Sequence, residues 1–150
     1  MATMRLMHRT MLIFPLEPDE NGYPPFESES MWGGIASDGV RVDNVPYFTR
    51  AANYGDIVEI DASNVFQRLV RPSRNSLLRA YFDEDRERIL PFAWRLEELG
   101  CICSIGYDTI LAISIPKDVS IDGVRAFLEE EVKPAPFSVE DVLLRGRHAQ

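Results

Sequence analysis

The sequence predicts an α+β protein in two parts: an N-terminal small curled β-sheet or partial barrel over residues 1–73, then a ferredoxin-like β-α-β-β-α unit over residues 74–150. Three observations predict it. Short apolar segments separated by turn residues fill the first half, and helical periodicity appears only after Arg74. Between the two patterns lies the polar linker Arg71-Pro72-Ser73-Arg74-Asn75-Ser76. With 150 residues, 45% hydrophobic and 27% charged, the chain is long enough to bury roughly 70% of its unfolded surface, so its core needs no metal or disulfide.

In the first part, residues 11–16 form an apolar strand that runs into Pro18-Asp19-Glu20-Asn21-Gly22 and then Pro24-Pro25, residues that set the backbone away from helix and sheet. Residues 30–36 and 40–45 flank Ser37-Asp38-Gly39, and an Asp-Gly pair between apolar segments predicts a hairpin because it tolerates positive φ. Tyr54-Gly55-Asp56 turns the chain into a strand at 57–61, where Val58 and Ile60 alternate with Glu59 and Asp61. Residues 65–71 supply a further strand, and such close spacing predicts a curled sheet.

In the second part, residues 77–82 read as a strand, and Asp83-Glu84-Asp85 suits a helix N-terminus by capping free amides and opposing the dipole. Ile89, Phe92, Ala93, Leu96 and Leu99 recur at helical spacing, and Gly100 stands where a left-handed C-cap belongs. Pro91 requires the regular helix either to start near it or to kink there. Residues 101–105 and 109–115 form a second hairpin around Gly106-Tyr107-Asp108, with Leu111, Ile113 and Ile115 on one face and Ile110 and Ala112 on the other. Ser120 N-caps a helix whose stripe is Ile121, Val124, Phe127 and Leu128, and Pro134 and Pro136 end it. Two readings stand for residues 137–144: a final strand that completes the ferredoxin-like unit, or a short helix opened by Ser138-Val139-Glu140-Asp141.

Sixteen Lys and Arg against twenty-four Asp and Glu give a net charge of -8, the wrong sign for binding a phosphate backbone. Residues 1–82 hold 10 acids and 8 bases (-2) and residues 83–150 hold 14 and 8 (-6), so the second half is either a solvated acidic surface or a docking face for a basic protein. Glu129-Glu130-Glu131 at the end of the second helix opposes the helix dipole, which marks a face not optimised for helix stability.

No apolar run approaches the roughly 20 residues of a membrane span, and residues 1–10 lack a secretory h-region, so the expected location is the cytoplasm. Cys101 and Cys103 agree with that: cysteines two apart on a strand share a face but make a poor disulfide. Zinc needs about four ligands, and His8 and His148 lie near opposite termini, so neither metal nor cofactor is expected.

The motifs exclude more than they include. There is no glycine-rich phosphate loop and no Gly-x-Ser-x-Gly elbow, and the terminal histidines speak against a Ser-His or Cys-His relay. Trp32-Gly33-Gly34 reads as a close backbone approach or a bulge within a strand, and Trp32, Tyr47 and Phe48 as core aromatics. Asp43-Asn44 closes a turn through side-chain to backbone bonds, and Gly55-Asp56 provides the entry to a strand. Glu27 and Glu29 would share one side of an extended segment, the spacing of an acid-base pair; the other use of such carboxylates is to accept hydrogen bonds from a turn or from Arg50, Arg71 or Arg74.

Taken together, Phe14-Pro15-Leu16, Pro24-Pro25-Phe26-Glu27-Ser28-Glu29, Met31-Trp32, Val42-Asp43-Asn44-Val45-Pro46-Tyr47-Phe48 and Tyr54-Gly55-Asp56-Ile57-Val58 resemble a bacterial family known as domain of unknown function 4265. The resemblance continues more loosely through Arg74-Asn75-Ser76, Leu96-Glu97-Glu98-Leu99-Gly100-Cys101 and Leu111-Ala112-Ile113, covering residues 10–130. It implies a bacterial cytosolic protein of this two-part layout and carries no reaction or catalytic residue with it. Pro91 departs from the uninterrupted helix usual in that family.

Two classes of function follow from these residues. The first is an acidic protein-binding module with the profile of an immunity protein that neutralises a basic toxin, its contacts made by Glu97, Glu98, Glu129, Glu130 and Glu131. The second is a small-ligand-binding or regulatory domain with a site between the two parts, near Glu29, Trp32, Tyr54, Arg71 and Arg74. An enzyme working through Glu27 or Glu29 ranks third.

Overall fold

A computed structural model describes residues 8–83, 86–107, 109–131 and 137–150. Glu84 and Asp85, expected to open a helix, Asp108 of the second hairpin turn, and Pro134 and Pro136 lie outside the described residues. The chain divides into two compact units, Met1–Ser73 and Arg74–Gln150.

The first unit is a five-stranded antiparallel sheet whose strands lie in chain order: β1 (Arg9–Pro15), β2 (Ser28–Ala36), β3 (Gly39–Val42), β4 (Ile57–Ile60) and β5 (Phe66–Arg71). No barrel closes; β1 meets the residue before β5 in a single parallel bridge, Ile13 to Val65, where the Ile13 N–H donates to the Asn64 carbonyl at 2.9 Å. Leu12, Phe14, Met31, Val40, Val42, Ala52 and Val58 form the buried core, and Phe66 stacks on Phe14 with ring centroids 5.1 Å apart.

The β2–β3 hairpin differs from its expected form. Ala36 pairs with Gly39, so Ser37 and Asp38 make the turn and Gly39 belongs to β3. Glycine is needed there because φ is +155° and a Cβ would lie 2.6 Å from the Val58 carbonyl of the neighbouring strand. β3 also stops at Val42 rather than continuing to residue 45: the Asp43 N–H and the Asn44 side-chain amide both donate to the Trp32 carbonyl at 3.3 Å, which turns the chain away. Gly55, at φ +86°, donates to the Val42 carbonyl at 2.8 Å and brings the chain back into β4.

The second unit runs β6 (Ser76–Phe82), α1 (Arg86–Glu98), β7 (Ile102–Gly106), β8 (Ile110–Ile115), α2 (Ile121–Glu131) and β9 (Phe137–Leu143), then a 3-10 turn at Gly146–Ala149. Its four-stranded antiparallel sheet has the order β7-β8-β6-β9. Residues 137–143 therefore form a strand, which excludes the short-helix reading; Phe82 pairs with Phe137 and Ala80 with Val139 along β6. Leu78, Ala80 and Phe82 from β6 and Leu111, Ile113 and Ile115 from β8 pack with Ile89, Ala93 and Leu96 of α1 and with Val124, Phe127 and Leu128 of α2.

α1 runs through Pro91, which costs one bond to the preceding turn. Burial of Ile89, Ala93 and Leu96 at helical spacing holds the helix across that gap. Divided at Ser73, the first unit carries 10 acids and 6 bases and the second 14 and 10, so each has a net charge of -4. The uneven charge of the two halves cut at residue 82 thus depends on where Arg74 and Arg79 are counted. What is concentrated in the second unit is the placement of its acids on two helices.

Candidate functional site

The candidate site is the outer face of the helix pair α1 and α2. Both helices end or begin on chemistry written locally in the chain. α1 terminates in a Schellman motif: the Gly100 N–H donates to the Glu97 carbonyl and the Cys101 N–H to the Leu96 carbonyl, both at 3.0 Å, with Gly100 at φ +105°. α2 begins at Ser120, whose hydroxyl accepts from the Gly123 N–H at 3.2 Å, as an N-cap does. The buried stripes turn the remaining side chains outward, among them Trp94, Arg95, Glu97 and Glu98 of α1 and Ala126, Glu129 and Glu130 of α2.

Between the two helices lies a groove of about 390 Å³ lined by Arg95, Glu98, Leu99, Gly123, Ala126, Phe127 and Glu130. Arg95 spans it: its guanidinium carbon lies 5.6 Å from the centroid of the Phe127 ring, and its Nε is 3.9 Å from a Glu98 carboxylate oxygen. The aromatic face and the two carboxylates suit a cation, by attraction to the ring quadrupole and to the negative charge. On the opposite flank of α1 a second cavity of about 240 Å³ is lined by Leu90, Trp94, Glu97, Cys103 and Ile105 among others, and Trp94 is 58% exposed.

Of the five acidic residues expected to make contacts, Glu98 and Glu130 share the inter-helix groove, and Glu97 lies across α1 in the cavity beside Trp94. Glu129 is exposed on α2. Glu131 is the last residue of α2, and its side chain lies outside the described residues. Sequence reasoning missed Arg95, Phe127 and Trp94 as site residues, because an arginine on a helix and an aromatic on an apolar stripe read as surface and core.

The residues of the alternative site take separate roles. Glu29 is buried and accepts from three consecutive backbone N–H groups, Tyr47 at 2.7 Å, Phe48 at 3.1 Å and Thr49 at 2.8 Å. Trp32 faces the other way on β2, 45% exposed, with the Arg9 guanidinium 4.9 Å from its ring centroid; the expectation that it is a core aromatic is corrected by strand parity, since Glu29 and Met31 take the inward positions. The Tyr54 carbonyl accepts from the Ser73 hydroxyl at 3.0 Å. Arg71 pairs with Asp38 at 3.2 Å and holds its carboxyl below the usual range. Arg74, at φ +71°, opens the second unit. Glu27 is exposed just before β2 while Glu29 is committed to the 47–49 loop, so the two do not form the acid-base pair their spacing allows.

Gly33 is the close backbone approach expected of it: a Cβ there would lie 2.9 Å from the Arg41 carbonyl and 2.7 Å from Val40 Cγ1. Cys101, just before β7, belongs to the core and Cys103 on β7 packs against it, and burial pushes the Cys101 thiol up to about 11 and the Cys103 thiol higher still. A Ser-His contact also exists where none was expected. Ser76 Oγ lies 2.6 Å from His148 Nδ1, and His148 Nε2 lies 2.8 Å from the Val119 carbonyl. A carbonyl only accepts, so Nε2 carries a proton, and in the neutral ring the Ser76 hydroxyl donates to Nδ1; Ser76 Oγ in turn accepts from the Arg145 N–H at 3.0 Å. Ser76 is fully buried, which makes the arrangement a clasp on the C-terminal turn rather than a nucleophile open to substrate.

Among the described residues, no helix is long and apolar enough to cross a membrane, and no group of three His, Cys, Asp or Glu side chains is placed to hold a metal ion. The fold is similar to the crystal structure of a hypothetical protein from Neisseria gonorrhoeae, with a TM-score of 0.70 and 19% identity over 92% of this chain and 96% of that one. No curated protein matches the chain. The family model described as "Domain of unknown function (DUF4265)" matches residues 29–135, more than half of the sequence, and the chain belongs to that family.

Proposed function

We propose that this protein is a cytoplasmic protein-binding module whose helix face receives a basic partner, in the manner of an immunity protein that neutralises a toxin. The observation that carries the reading is the groove between α1 and α2, which Phe127 lines together with Glu98 and Glu130. Glu129 is a further exposed acid on α2, and across α1 lie Glu97 and an exposed tryptophan, Trp94, a residue type over-represented among the energetic anchors of interfaces. Charges on such a rim act mainly on the rate of encounter and on choice of partner, while the buried aromatic surface supplies affinity.

The fold agrees with a binding role. The element order of the second unit, with the sheet order β7-β8-β6-β9, supports a ferredoxin-like reading in which both helices cover one face of the sheet and leave their outer side to a partner. Glu29, the best placed of the carboxylates considered for acid-base work, is occupied with backbone N–H groups, which favours binding over catalysis. The test is affinity capture by the tagged protein from its native lysate with a moderate-salt wash. The expected result is one stoichiometric basic protein, retained by wild type and lost when Glu129, Glu130 and Glu131 are changed to Lys. Recovery of the bait alone, or of a partner indifferent to those changes, overturns the proposal.

A further inference from the structure

We infer that the inter-helix groove takes a guanidinium side chain from the partner, and that Arg95 is an internal occupant which that side chain displaces. The inference rests on the protein-binding reading and names the chemistry of what binds there. Arg95 already performs the interaction within the chain: its guanidinium lies over Phe127 at 5.6 Å and beside Glu98 at 3.9 Å, inside a groove that Glu130 also lines. Three chemical features meet in this one space, an aromatic face, carboxylates and a volume of about 390 Å³.

Arg95 is a loose occupant. Its side chain is 58% exposed, its contact with Glu98 is long, and Glu98 is itself 73% exposed, so little holds the guanidinium in place. Phe127, by contrast, is fixed, because it is 9% exposed and belongs to the core beneath the two helices. A partner arginine would find a rigid ring face and carboxylates already arranged for a cation, at the cost of moving one solvated side chain. Arginine fits this space better than lysine, since a planar guanidinium both stacks on a ring and bonds a carboxylate in the fork geometry that an ammonium lacks.

The probe is N-acetyl-arginine amide, titrated into the isotope-labelled full-length protein and followed by NMR, with N-acetyl-norleucine amide as the apolar control. The expected shifts centre on the Arg95 Nε–H, Leu99, Ala126 and Phe127, and the norleucine compound produces none of them. Arg95→Ala removes the internal competitor and is expected to tighten binding of the probe about two- to five-fold, the range of an exposed cation-π contact. Glu130→Gln is expected to weaken it. Both substitutions are at exposed positions and leave the core intact.

Shifts that map elsewhere, or an Arg95→Ala variant that binds the probe no better than wild type, overturn the inference. If Glu98→Lys and Glu130→Lys abolish partner capture while the arginine probe ignores the groove, this inference fails and the protein-binding reading stands. If the probe binds the groove but no partner is captured, the groove's affinity for a guanidinium stands, while the protein-binding reading and the partner's arginine with it are overturned.

Discussion

Replacing Glu29 should strongly destabilise the first unit, and the size of the effect follows from its bonds. The carboxylate accepts from the N–H groups of Tyr47, Phe48 and Thr49 at 2.7 to 3.1 Å, and it is 7% exposed. In Glu29→Ala all three donors lose their acceptor, and at about 1–2 kcal/mol for each orphaned N–H the loss is about 3–6 kcal/mol. Against a typical domain stability of about 5–15 kcal/mol this is a large share of what holds such a unit. Glu29→Gln separates charge from shape. The Tyr47 N–H bonds one carboxylate oxygen while Phe48 and Thr49 share the other, so an amide oxygen in the shared position keeps two bonds and points its NH2 at the third donor. The expected cost is about 2–3 kcal/mol. Urea unfolding measures both values. Trp32 is the tryptophan of the first unit and Trp94 that of the second, so Trp94→Phe leaves fluorescence that reports on the first unit. A Glu29→Ala protein within 1 kcal/mol of wild type, or a Gln variant less stable than the Ala variant, would refute the reasoning.

Gly33→Ala should destabilise by about 1–3 kcal/mol, since the new methyl meets the Arg41 carbonyl and the packed Val40 and Leu12 side chains. Gly34→Ala should cost less, because its methyl meets only the movable ends of Arg41 and Asp43; thermal melts of the two variants give the comparison. The raised thiol of Cys101, at about 11, stays protonated in the fold while an unfolded thiol ionises from its ordinary value near 9. Stability is therefore complete below pH 9 and falls as pH climbs toward 11, and Cys101→Ala should flatten that slope in urea titrations. Native protein at pH 8 should resist iodoacetamide at the buried Cys101 and take two labels once unfolded; rapid native labelling of Cys101 contradicts the burial argument. His148→Ala should free the C-terminal turn by removing the bonds to Ser76 and Val119, at a cost of about 2–3 kcal/mol. Limited proteolysis that cuts near Arg145 and Arg147 in the variant but not in wild type reads this out.

What was legible in the sequence was local chemistry. Ser120 and Gly100 announce the start of one helix and the end of another because a cap acts within four residues of itself. The strands at 57–60 and 110–115 follow from alternation and apolar runs in the same way. The readings that needed correction depended on partners distant in the chain. β3 ends at Val42 because Asp43 and Asn44 bond a carbonyl on β2, and Gly39 is required by Val58 on β4. Residues 137–143 became a strand only through pairing with β6. Ser76 and His148 meet across 72 positions, so no motif could announce them. In the candidate site, the carboxylates stood out by composition, but the groove itself is a product of helix packing, which brings Glu98 of one helix and Glu130 of the other into one groove with Phe127.

The central claim, that the helix face docks a basic protein, is tested most directly by the association rate with the captured partner. Wild type and a Glu98→Lys/Glu130→Lys variant would be compared by stopped flow at low and physiological salt. The account predicts that the variant associates about tenfold or more slowly at low salt, and that wild type slows steeply as salt shortens the Debye length to about 8 Å. Equal rates for the two proteins, or a wild-type rate indifferent to salt, would contradict it.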